Sequence, residues 1–291
     1  MTKTAYKQRK PAKTVKAKIT PLRLFSYVNE GDEHPMAKSA VAYNDDIPKV
    51  VSTRKIRMEH LKKVVPLTDT QKRMFEQYEG DYNLVCSGSA GVGKTFLAVY
   101  LALREVLSRE SDYEKLVIVR SATPVKDLGF LPGNLAEKID VYQQPYKAIF
   151  KELFPNIDSP AEKLYEQGLY EFVPTSFIRG ITLHKSIIIM DEYASSTFHE
   201  LDSVMTRPGN DCRIIFCGDV TQTDLQKKED VLGVNKFMNI LKHVPEFRNI
   251  EFTSDDIVRS AMVKSYIISK QRIEEEEYEN QRGRGHTNKV V

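Results

Sequence analysis

The chain has 291 residues and a mass of 33.4 kDa, room for one sizeable α/β domain with appendages but too little for two full domains. Its 41% hydrophobic and 29% charged residues are ordinary for a soluble protein, and a net charge of +3 creates no basic field that by itself marks a nucleic-acid binder. Three scattered cysteines (Cys86, Cys212, Cys217) exclude a disulfide framework. With no membrane-length apolar run and no hydrophobic leader, the chain reads as cytoplasmic and without membrane contact.

Residues 1–55 read as a basic, flexible arm, with eight Lys or Arg and no acidic residue in 1–29. A Lys/Arg-rich helical pattern then runs to Lys63. Thr68 is placed to cap a helix opening near Asp69, with Gln71 at the third position to complete a capping box. Beyond it, short apolar runs alternate with helical patterns. Strands are expected at 82–87, 115–120, 171–174, 186–190, 213–217 and 249–252, and helices at 94–107, 134–153, 198–205, 231–243 and 256–269. This alternation predicts an α/β fold, a mostly parallel sheet with helices on both faces, over residues 56–270. Residues 271–291, with five Glu, four Lys or Arg and an Arg-Gly-Arg-Gly piece, read as a charged, solvated tail.

Residues Gly88, Ser89, Ala90, Gly91, Val92, Gly93, Lys94 and Thr95 spell a P-loop between an apolar strand and an amphipathic helix. The glycines let backbone N–H groups turn inward around phosphate oxygens, and the helix N-terminus adds partial positive charge. Lys94 is placed to reach the β- and γ-phosphates, and the Thr95 hydroxyl to ligate Mg²⁺. A P-loop needs a carboxylate on a neighbouring strand, and the run Ile187-Ile-Ile-Met-Asp191-Glu192 supplies two. Asp191 suits the metal's water. Glu192 suits the attacking water, which favours hydrolysis over transfer to another acceptor.

The strand at 213–217 leads to Gly218, Asp219 and Gln222, the last able to hydrogen-bond a γ-phosphate. Arg179, Arg207 and Arg259 are candidates for stabilising transition-state charge. No zinc motif is present: His199-Glu200 is followed by Ser203 where a second histidine belongs.

Taken together, these blocks resemble the PhoH family of P-loop ATPases, related to the ATPase core of superfamily 1 helicases. The resemblance runs from about Thr68 to Ser269. Besides the P-loop it rests on Val119-Arg120-Ser-Ala-Thr-Pro124, Leu128-Gly-Phe-Leu-Pro132-Gly133 and Phe177-Ile-Arg179-Gly. Asp191-Glu192, Gly218-Asp219-Val-Thr-Gln222 and Asp256-Ile-Val-Arg259 complete it. One departure is Tyr193-Ala194, where the family commonly has polar residues after the acidic pair.

The resemblance implies a single RecA-like P-loop NTPase domain that binds ATP and Mg²⁺. Lys94, Thr95, Asp191 and Glu192 would form the hydrolytic centre, Gln222 the γ-phosphate sensor and Arg259 the arginine that completes the site. It implies that Gln71 reads adenine and that Arg120 lies in a segment touching nucleic-acid backbone. RNA or single-stranded DNA is the implied polymer. With one such domain where helicases have two, it also implies a homo-oligomeric ring, hexameric by resemblance. The alternative is a nucleotide-dependent oligomeric switch or assembly protein with slow hydrolysis and protein partners.

Overall fold

The computed structural model describes residues 55–121, 135–219 and 228–286. The strands are β1 (Asn83–Gly88), β2 (Lys115–Arg120), β3 (Tyr170–Pro174), β4 (Ser186–Asp191), β5 (Cys212–Gly218) and β6 (Phe247–Phe252). They form one six-stranded sheet in the order β3-β2-β4-β5-β1-β6, and each neighbouring pair is parallel. The helices are α1 (Asp69–Glu79), α2 (Lys94–Val106), α3 (Leu135–Leu153), α4 (Pro160–Glu166), α5 (Phe198–Met205), α6 (Lys228–Leu241) and α7 (Ala261–His286). The α/β architecture expected from the sequence, a parallel sheet with helices on both faces, is the one observed.

The inner strands β2, β4 and β5 are largely apolar runs because both faces of the sheet are covered there. All six residues of β4 are buried. Its side chains alternate between two cores with the period of two that a strand imposes. Ile187 and Ile189 join Leu84, Leu116 and Ile118 beneath residues of α1 to α4, such as Met74, Leu101, Phe150 and Leu164. Ile188 and Met190 join Val85, Val117 and Phe216 against Leu201 of α5 and Phe237 of α6. Cys86 and Cys217 are fully buried and stand opposite one another on β1 and β5.

Three local expectations are corrected. The basic stretch to Lys63 forms only a 3-10 turn at Met58–His60. Its backbone is held by distant partners: Ile56 N–H donates to Gln167 Oε1 at 3.0 Å, and Lys62 N–H to the Leu153 carbonyl at 2.8 Å. Helix α4, unforeseen, is seven residues long, too short to show a period; Pro160 opens it after a left-handed Ser159. The last helix starts later than expected, at Ala261, and runs through the stretch read as a tail to His286. Pairs at i,i+4 line it, Lys270–Glu274 at 3.5 Å and Arg272–Glu276 at 3.0 Å, which support helix over coil.

The parallel order brings the carboxyl ends of β1, β2, β4 and β5 to one edge, where open α/β sheets bind ligands. Strand β5 separates β1 from β4.

Candidate active site

Residues 89–93 link β1 to α2. Gly88 has φ +130°, and a Cβ there would stand 2.1 Å from the Phe252 carbonyl of β6, so only glycine lets the strand leave at this point. Gly93 caps α2 at φ +89° and offers no side chain to the helix's first N–H groups. Those donors are the ones an anion takes at a helix N-terminus. Lys94 folds back across the loop, its Nζ donating to the Gly88 carbonyl at 2.7 Å and to the Ser89 carbonyl at 2.8 Å. Both of these partners are neutral carbonyls, which phosphate oxygens can replace.

The P-loop and β4 meet at Asp191. Thr95 Oγ1 donates to Asp191 Oδ1 at 2.7 Å, and Tyr146 Oη, from α3, donates to Oδ2 at 2.8 Å. Burial and the Asp191 charge push the Tyr146 phenol far above its usual range, so it stays protonated and donates. Arg120, at the end of β2, lies near the same phenol and near Asp191 and Glu192. Burial alone lowers its pKa, but these neighbours more than reverse that, and the guanidinium stays charged.

Glu192 follows in a left-handed conformation, φ +53°, where the chain turns sharply off β4. The residue is exposed, yet desolvation at its carboxyl and the Asp191 charge raise its pKa, opposed by Arg120 and Lys94. Tyr193 beside it is fully buried, and its ring lies where a Cβ on Gly218 would stand within 2.7 Å. The departure Tyr193-Ala194 is thus a packing residue under the edge of β5.

A second layer holds the loop from behind. Gln71 is 2% exposed; its Nε2 donates to the Val92 carbonyl at 3.0 Å and its Oε1 accepts from Leu67 N–H at 2.7 Å. Thr68 caps α1 as expected, accepting from Gln71 N–H at 3.2 Å, but the reciprocal half of the capping box goes to Leu67. Base reading by Gln71 is therefore left with one amide hydrogen and one lone pair.

Asp256 is buried and accepts from Thr253 N–H at 2.9 Å. The hydroxyls of Thr68 and Thr70, at the start of α1, lie near it and lower its pKa. From that segment Val258 N–H donates to the Gly91 carbonyl at 3.1 Å. The Arg259 Cγ lies 3.0 Å from where a Cβ on Gly91 would be, so this arginine rests on the P-loop of its own chain. Gln271 of α7 donates to Ser89 Oγ.

Of the other candidate arginines, Arg207 is spent on the Ser203 and Ile181 carbonyls, at 3.0 and 3.3 Å, and Arg179 is exposed beyond β3. Gln222 and the Leu128–Gly133 block lie outside the described residues. Tyr146 and Gln271 escaped the sequence reading. Tyr146 falls in phase with Phe150 and Leu153 on the buried stripe of α3, indistinguishable there from a core aromatic.

Among the described residues no group of three or more His, Cys, Asp or Glu gathers as a metal cluster, and no helix is long and apolar enough to cross a membrane.

The PhoH-like protein family model matches residues 63–289. The PhoH-like protein of Mycobacterium tuberculosis is 31% identical over 237 residues, 81% of this chain and 66% of the relative. That of Synechocystis sp. is 36% identical over 191 residues, 65% of this chain and 56% of the relative. The chain thus spans two thirds or less of the length of these relatives. Among solved structures, unliganded Pif1 from Bacteroides sp. aligns with a TM-score of 0.37 and 14% identity over 68% of this chain and 43% of that one. On the family match, which covers well over half its length, this chain belongs to the PhoH-like protein family.

Proposed function

We propose that this chain binds ATP at the P-loop and hydrolyses it with Mg²⁺. The observation that carries the reading is the Thr95–Asp191 hydrogen bond of 2.7 Å, which brings a hydroxyl and a carboxylate from separate elements together beside Lys94 and Glu192. Hard oxygen donors suit Mg²⁺, which usually keeps several waters and takes one or two protein ligands plus substrate phosphates. A lone hydroxyl–carboxylate pair fits that ion better than one that demands an all-protein cage.

Thr95 and the water-holding Asp191 would hold the metal, and when bound it neutralises charge on the β- and γ-phosphates. Lys94 exchanges its two carbonyl partners for phosphate oxygens. Glu192, with its raised pKa, accepts a proton from the attacking water. Arg259 lies close enough to the loop to face the γ-phosphate from the same chain. Gln222, as γ-phosphate sensor, enters by resemblance, whereas Gln71 holds the loop from behind through the Val92 carbonyl. Replacing Glu192 by Gln should lower turnover by about 10² to 10⁴-fold while leaving nucleotide affinity unchanged. Undiminished turnover removes Glu192 from this role.

We extend the proposal to a polymer, RNA or single-stranded DNA. The eight Lys or Arg and absence of acid in residues 1–29 support phosphate contacts whose strength falls steeply with salt. Stimulation of the ATPase by RNA at low but not high salt tests it. Unstimulated turnover selects the oligomeric switch with protein partners instead. A homo-oligomeric ring, hexameric by resemblance, belongs to both readings and is tested by mass measurement in ATP.

A further inference from the structure

The most unusual side chain near the site is one that apolar packing alone does not require. Tyr146 is fully buried in the core beneath the sheet, its ring centroid 5.8 Å from that of Phe172. Phenylalanine would fill the same space. A buried phenol needs a partner, and the usual one is a backbone carbonyl or water. Here the hydroxyl instead donates at 2.8 Å to Asp191 Oδ2, a carboxylate that is itself only 5% exposed.

The two oxygens of Asp191 are thereby used separately, Oδ1 by Thr95 and Oδ2 by Tyr146. The Thr95 bond cannot survive unchanged if its hydroxyl oxygen turns to a metal. The Tyr146 bond can, because α3 approaches Asp191 from a different element than the P-loop. The phenol is fixed in turn: Pro145 precedes it inside α3, and Phe150 and Leu153 seat the same face in the core.

We propose that Tyr146 is a positioning residue for the metal centre: from α3 it holds the Asp191 carboxylate in the orientation that receives hydrated Mg²⁺ when Thr95 lets go. Donors of this kind, one layer behind a metal's ligands, set affinity by orienting the ligand, and their loss typically costs 10- to 100-fold. The inference rests on the proposed Mg²⁺ role of Asp191.

The test uses the full chain with a non-hydrolysable ATP analogue and Mn²⁺ in place of Mg²⁺, reading free Mn²⁺ by electron paramagnetic resonance. Tyr146→Phe, which keeps the ring, should bind the analogue in EDTA within about twofold of wild type but lose about tenfold or more in Mn²⁺ affinity. Asp191→Asn should lose at least as much. If Asp191→Asn loses Mn²⁺ and Tyr146→Phe does not, the positioning role is wrong and the metal site stands. If neither loses it, the metal reading of Asp191 fails first. Loss of analogue binding in EDTA by Tyr146→Phe, or failure of that variant to fold, makes Tyr146 a core residue and overturns the proposal. As a second check, Arg120→Gln, which leaves the Tyr146–Asp191 bond in place, should weaken Mn²⁺ less than Tyr146→Phe; an equal or larger loss places the effect on charge, not on the phenol.

Discussion

The Gln71 amide donates to the Val92 carbonyl at 3.0 Å, so the first turn of α1 and the phosphate loop share one buried side chain. Truncating it leaves the Val92 carbonyl and the Leu67 N–H without their partner, a penalty of about 1–3 kcal/mol for each group that stays dry. Gln71→Ala is expected to weaken ADP and GDP alike by about tenfold, because the loop is loosened whichever base is attached. Titration calorimetry with both nucleotides checks it. A loss confined to ADP assigns the side chain to the base.

Arg259 lies on Gly91 of its own chain and is solvent-exposed, as an arginine waiting for a phosphate should be. Arg259→Ala should lower turnover by about 10³-fold or more with nucleotide affinity nearly unchanged. Mixing this variant with Lys94→Ala separates cis from trans supply. Activity regained in the mixture shows that the arginine crosses between subunits; none is expected.

Asp256 gives a pH signature. Burial raises its pKa, but the Thr253 N–H and the hydroxyls of Thr68, Thr70 and Thr253 outweigh that and hold it below the usual aspartate value of about 3.9. A depressed folded pKa means the folded state binds fewer protons. The stabilisation is therefore present above about pH 4 and is lost as pH falls through the folded value. Asp256→Asn should lower Tm at pH 7 and flatten the fall of Tm between about pH 5 and pH 3. An unchanged slope in that window contradicts the assignment.

The sequence was most informative where chemistry fixes spacing. Gly88 to Thr95 and Asp191-Glu192 are legible because the P-loop pattern calls for those residue types at strand ends, and the inner strands are legible because a sheet covered on both faces needs largely apolar runs. What stayed hidden depends on distance along the chain. Tyr146 is 45 residues from Asp191 and Gln271 is 182 from Ser89, and no local pattern distinguishes either from its neighbours. The basic stretch ending at Lys63 misled for the opposite reason: its local pattern is helical, but bonds to Gln167 and Leu153 outbid it. The Asp256-Ile-Val-Arg259 block was legible through resemblance; its contact with the P-loop, Val258 N–H to the Gly91 carbonyl, spans a distance along the chain that no local pattern covers.

The proposed reaction is ATP hydrolysis with Mg²⁺ at this P-loop. It is tested most directly by inorganic phosphate released from ATP by the full chain, in Mg²⁺ and in EDTA, beside Lys94→Ala. Steady release is expected in Mg²⁺, and its disappearance in EDTA and in the variant. Release that persists in Lys94→Ala, or none above the blank from the wild-type chain in Mg²⁺, contradicts it.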